Sequence, residues 1–93
     1  MSRVRGGGRR PVRLSPGIRL DGGKEDGVLV LVGPNGPVQL NRIAAAILQL
    51  CDGSRDRDDL VTEVLRSAPP RTRAVEIIEF LDVARARGWI DET

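Results

Sequence analysis

Hydrophobic residues change their spacing once along this chain, at Asn41. Before it, Val12 and Leu14, then Ile18 and Leu20, alternate with polar neighbours at period two, the spacing of strands with one covered face. Asp21 to Gly27 is a polar, glycine-rich connector. Val28-Leu29-Val30-Leu31-Val32 is an unbroken β-prone run, which predicts a central strand covered on both faces. Gly33-Pro34-Asn35-Gly36-Pro37 predicts a turn: Pro34 presets φ, and Asn35 or Gly36 accepts a positive φ. Val38 to Leu40 then returns antiparallel. Pro37 has no N–H, so it belongs at a strand start or an edge. The expectation is a three-stranded antiparallel meander.

From Asn41 onward the period is helical. Asn41 is placed to cap a first helix whose Ile43, Ile47, Leu48 and Leu50, with three alanines, make a broad apolar surface; the alanines admit a close neighbour. Gly53 is expected as the left-handed residue just past its end. Asp56 with Asp59 three residues later has the spacing of a capping box, aspartate replacing the usual Glu or Gln. The second helix presents Leu60, Val61, Val64, Leu65 and Ala68, and Pro69-Pro70 ends it. A third begins near Thr72, carries Ala74, Ile77, Ile78, Leu81 and Ala84 on one stripe, and stops at Gly88, after which Trp89-Ile90 can fold back on the core. Val75, Phe80 and Val83 lie outside that stripe, a wider apolar face than one sheet contact needs. The order, strands and then helices, defines an α+β domain: winged-helix-like, an N-terminal three-stranded antiparallel sheet followed by three helices.

Length and charge refine this picture. Ninety-three residues make one small domain. Residues 1–10 hold Gly6-Gly7-Gly8 between arginines with almost nothing to bury, and are expected to be a disordered basic tail ahead of a domain over 11–93. Arg3, Arg5, Arg9, Arg10 and Arg13 stand without an acid, whereas residues 14–93 hold ten Lys/Arg against thirteen Asp/Glu. The folded part is therefore mildly acidic, which weakens a general nucleic-acid reading. One cysteine forbids an internal disulfide, which suits the cytoplasm, and no apolar run approaches the length of a membrane span.

Chemistry is scarce. There is no histidine, so the commonest general base and the commonest zinc ligand are both missing. Cys51 near the end of an apolar helix reads as a small packed residue. The acids Asp56, Asp58 and Asp59 sit in the first turn of a helix, where its dipole favours them. Neither Gly22-Gly23 nor Gly33 opens a phosphate loop. The chain is expected to be no enzyme, with no metal and no cofactor. Three binding readings remain. Val38-Gln39-Leu40 is short and could form a sheet edge open to an added peptide strand, beside surplus hydrophobes of the third helix. A winged-helix nucleic-acid binder is the alternative, but Glu76, Glu79 and Asp82 occupy the middle of the helix that would read DNA. A domain that self-pairs through its free edge is the third; a monomer is expected, with a dimer as the variant case.

Leu40-Asn41, the Ala45-Ala46-Ile47-Leu48 stretch and above all Leu50-Cys51-Asp52-Gly53 resemble the PqqD family of pyrroloquinoline quinone biosynthesis, together with Arg13 to Arg19 and the late Phe80-Leu81 and Arg87-Gly88-Trp89-Ile90. The resemblance runs from about Pro11 to Asp91 and implies a cofactor-free peptide chaperone. Such a protein binds the precursor peptide PqqA and presents it to the radical S-adenosylmethionine enzyme PqqE. Related recognition domains take a leader peptide as an extra antiparallel strand beside their third strand and against a helix. Carried onto this chain, that implies an added strand along Val38, Gln39 and Leu40; with the flanking apolar helix positions, the expected peptide site is Val38, Gln39, Leu40, Asn41, Ile43, Ile47, Arg73, Ile77 and Phe80. Arg42, Arg71 and Arg73 would attract acidic leader residues. A Val38→Pro change is expected to weaken binding more than folding.

Overall fold

The computed structural model describes residues 10–23 and 27–92. The expected tail over 1–10 lies outside them except for Arg10, which is exposed. Five strands and three helices follow in the order β1 (Val12–Leu14), β2 (Arg19–Gly22), β3 (Leu29–Gly33), β4 (Gly36–Gln39), α1 (Arg42–Gln49), α2 (Arg57–Ser67), α3 (Ala74–Ala86) and β5 (Ile90–Glu92). The α+β class and the three helices stand as expected. The sheet stands in part: β2-β3-β4 form an antiparallel meander, but β1 lies outside it and pairs with β5 in a separate two-stranded ribbon.

The single N-terminal sheet expected from sequence divides at Ser15-Pro16-Gly17-Ile18, which leaves Val12–Leu14 outside the meander. There Ile18 donates its N–H to the Ser15 carbonyl at 3.0 Å and Gly17 takes φ 87°, so Pro16-Gly17 turns the chain and separates β1 from β2. With φ positive at its third position and proline at its second, this tight turn suits glycine. Val12 lies opposite Glu92, and Leu14 opposite Ile90. The far side of β1 is also occupied. Val12 donates to the Arg55 carbonyl (2.8 Å), Leu14 donates to that of Cys51 (3.1 Å), and the Gly53 N–H donates back to Val12 (2.9 Å). This corrects the role of Gly53. Its φ is 89° as expected, but α1 ends at a Leu50 cap and Gly53 instead shapes the loop that crosses β1.

Helix limits follow local chemistry. The Asn41 side chain accepts the Ala44 N–H at 2.8 Å. Asp56 and Asp59 form a reciprocal capping box, each carboxylate accepting the other's backbone N–H at 2.9 and 3.1 Å. At the end of α3 the N–H groups of Gly88 and Trp89 donate to Arg85 and Ala84, the paired bonds of a Schellman stop. The core gathers Val12, Leu31, Leu48, Leu60, Val64, Leu81 and Ile90 from every layer. The run Val28–Val32 is central as expected, yet only Leu31 is buried; Val30 and Val32, on the other face, stay half-covered.

A charged clasp holds β5. Glu92, 5% exposed at its side chain, accepts two bonds from Arg57 (2.7 and 2.9 Å), and Arg57 donates a third to Asp82 at 2.7 Å. The paired guanidinium holds the Glu92 carboxyl below its usual range, against the opposing effect of burial.

Candidate peptide-binding edge

In contrast to β1, β4 ends its sheet. Pairing fixes which way its backbone groups point. Val38 lies opposite Leu31 and Gln39 opposite Val30, and the Leu40 N–H donates to Leu29 at 2.9 Å. Hydrogen-bonded and non-bonded pairs alternate along an antiparallel ladder. Gly36, Val38 and Leu40 therefore bond inward to β3, and Pro37 and Gln39 turn their backbone groups outward. Pro37 stands where no ladder donor is needed, as its chemistry requires. Gln39 presents both an N–H and a carbonyl to solvent.

The side chains alternate as well. Val38 and Leu40 share the face of Leu29 and Leu31, which packs toward the helices, but they differ in cover: Leu40 is 8% exposed and Val38 36%. An apolar position on the helix side of a free edge is thus left open. Asn41 follows in an extended conformation (φ −76°, ψ 175°), so the edge runs one residue further before α1 begins.

The other expected site residues divide. Ile43 is half-buried against the core at the start of α1. Ile47 and Ile77 are each 0% exposed, so they are core residues with no surface to offer a ligand; helical periodicity cannot tell a groove lining from the packing beneath it. Arg73 is exposed before α3 and pairs with Glu76 at 3.8 Å. The Phe80 ring packs against Trp89, with centroids 6.4 Å apart and planes at 45°, and Arg87 lies 5.5 Å above the Trp89 ring. Those contacts tie Phe80 to the β5 side of the molecule. The structure therefore brings Val38, Gln39, Leu40 and Asn41 together as one edge, with Ile43 close in sequence, and engages Arg73 and Phe80 elsewhere.

Sequence reasoning missed an open depression of about 610 Å³ at the end of this edge, where Leu40 and Asn41 meet Leu29, Ala45, Ala46 and Gln49. Its signal was present in the small residues Ala45-Ala46, which leave α1 shallow where a neighbour approaches. Arg42, exposed, stands on its rim.

Catalytic machinery is sparse among the described residues. No group of three His, Cys, Asp or Glu could hold a metal. Cys51 is buried and its thiol donates to the Ile47 carbonyl at 3.2 Å. Burial, and next the Asp52 carboxylate, push that thiol up to about 12. Glu76, Glu79 and Asp82 are exposed on α3, presenting acid where a DNA-reading helix needs base. No described helix is long and apolar enough to cross a membrane.

A small α+β domain whose β4 presents an unpaired edge, with an open apolar position beside it, has the form of a strand-adding binding module. The comparisons with known proteins agree in kind. The model of the family "Coenzyme PQQ synthesis protein D (PqqD)" matches residues 28–90. A Methylococcus capsulatus protein named PqqA binding protein is 33% identical over 81 residues, 87% of each chain. An Azotobacter vinelandii protein of the same name is 40% identical over 81 residues, 85% of this chain and 87% of that one. The chain belongs to the PqqD family. Among solved structures, the heterocyclase TruD shares the fold with a TM-score of 0.67 at 19% identity, covering 90% of this chain and 12% of TruD.

Proposed function

We propose that this protein is a non-catalytic peptide chaperone of pyrroloquinoline quinone biosynthesis, which binds the precursor peptide PqqA as an added strand on β4. The observation that carries this reading is the outward pair of backbone groups on Gln39 beside the open Val38, in a chain whose relatives are named for binding PqqA. Main-chain bonds to Gln39 supply affinity without regard to sequence. An antiparallel peptide residue opposite Val38 faces the helices and supplies selectivity for an apolar side chain. Arg42 at the rim favours an acidic neighbour and acts chiefly on the association rate. The bound peptide is presented in the cytoplasm to the radical S-adenosylmethionine enzyme PqqE, and this chain contributes no reacting group.

Titration of PqqA into the wild type and into Gln39→Pro tests the reading. Loss of one backbone donor costs about 1 kcal/mol, so the variant should bind roughly fivefold more weakly. Equal affinities, with both proteins folded, would contradict strand addition at β4.

A further inference from the structure

The two ends of β4 differ. At its start the chain has just turned back from β3, with Gly36 opposite Gly33. At its finish Asn41 stays extended and turns one more N–H outward, which has no acceptor among the described residues. The edge therefore continues one rung past Gln39, and that rung ends at the open depression lined by Leu40 and Asn41. Strands that pair antiparallel run in opposite directions. A peptide on β4 thus reaches this end with the residues that precede its Gln39 partner.

The depression has two walls. Gly22, Leu29 and Leu40 are cross-strand neighbours and form one row across the end of the sheet. Arg42, Ala45, Ala46 and Gln49 share one face of α1, opposite the buried Ala44, Ile47 and Leu48. The sheet wall cannot fill the space itself. Gly22 and Gly23 take φ 85° and 84°, and a Cβ on either would stand 2.9 Å from the Val28 carbonyl oxygen or the Leu29 side chain. No such limit holds on α1, whose helical backbone accepts larger residues than the half-buried Ala45 and Ala46. The open volume, about 610 Å³, is that of a ligand cleft, about 300–1,000 Å³.

Charge gives the occupant its second feature. Arg42 is the one charged residue among the described lining; it is exposed and makes no ion pair with any described residue. The first turns of α2 and α3 carry acids, whereas that of α1 carries none, so its positive end lacks a carboxylate.

We propose that the depression is a second subsite for the peptide and holds the residues just before the paired strand. An apolar side chain lies against Leu29, Leu40, Ala45 and Ala46, and a neighbouring carboxylate meets Arg42. This rests on the strand addition proposed above, and goes beyond it in fixing the direction of the peptide and the chemistry of its upstream residues. Backbone pairing reads no sequence, so the depression adds to the selection made at Val38.

Nitroxide labels placed one at a time along PqqA test the direction in the amide spectrum of the wild type. Labels that broaden Ala45 and Ala46 should lie N-terminal in PqqA to those that broaden Gly36 and Val38. The reverse order, or broadening at Val38 with none at Ala45 and Ala46 from any label, would overturn the proposal. Ala46→Leu fills the depression from α1 and should weaken PqqA binding about tenfold, with a melting transition no lower than that of the wild type. Arg42→Glu should weaken it about two- to fivefold, chiefly through the association rate. Unchanged affinity in folded Ala46→Leu would also overturn the subsite. If Gln39→Pro still weakens binding in that case, strand addition stands without the depression. If no label broadens Val38 and Gln39→Pro has no effect, the function proposed above fails as well.

Discussion

β1 and β4 are both short strands at the margin of a sheet, yet they have opposite fates. β1 is enclosed: β5 takes one side, the loop at Cys51–Arg55 takes the other, and its Val12 is 0% exposed. β4 is satisfied on one side only, and its Val38 remains open. The enclosed strand is pinned further by Arg57, which ties β5 to the start of α2 and to Asp82 on α3. On the proposed reading, binding capacity in this fold lies where backbone pairing is incomplete, and stability lies where it is complete. The two can be altered separately.

The largest effect should come from the core that joins them. Ile77→Ala removes a fully buried side chain and should destabilise by about 2–5 kcal/mol in denaturant unfolding. PqqA affinity per folded molecule should hardly change, because Ile77 has no surface. A large loss of affinity in folded Ile77→Ala protein would move the site from the β4 edge to the interior of the helices.

Arg57→Ala strikes the enclosed side. It leaves the Glu92 carboxylate, whose side chain is only 5% exposed, with the longer 3.5 Å contact to Arg85, and should cost about 1.5–3 kcal/mol without weakening peptide binding. The same pair predicts a pH dependence. The folded pKa of Glu92 lies below its ordinary value near 4.5, so its contribution is complete above that value. It is lost as pH falls through the lower, folded pKa. The denaturation midpoint should therefore fall on acidification, and the Glu92 share of that slope should shrink in Arg57→Ala, where only Arg85 still lowers the Glu92 pKa.

Adjacent residues of β4 should respond oppositely to proline. Val38 donates into the sheet, so Val38→Pro breaks a ladder bond and should destabilise by about 1–3 kcal/mol. This reverses the expectation from sequence that position 38 would report on binding more than on folding. Gln39 points outward, so Gln39→Pro should change stability by no more than about 0.5 kcal/mol while weakening PqqA. Equal destabilisation by the two substitutions would show that the assigned pairing phase is wrong.

How much of this was legible follows from the range of each interaction. The starts of α1 and α2 and the stop of α3 were readable because their partners lie within a few residues: Asn41 with Ala44, Asp56 with Asp59, Gly88 with Arg85. The β1–β5 ribbon was not, since three residues at each end of the domain carry no local sign of a partner 80 positions away. Pro16-Gly17 did announce the turn between β1 and β2, but the alternation on either side of it concealed the break. Gly53 showed the need for positive φ without showing that a strand passes over it. At the binding edge, the strand was visible and the burial of Ile47 and Ile77 was not, because periodicity reports a face and not its depth. The outward phase of Gln39 was written in Pro37, whose missing donor must point away from the ladder.

Amide exchange, residue by residue, with and without PqqA, tests the central claim most directly. The account predicts that the Gln39 N–H gains protection on peptide binding, that Val38 and Leu40 are already protected without it, and that Val12–Leu14 and Ile90–Glu92 do not change. New protection in the β1–β5 ribbon with an unaltered Gln39 would contradict it.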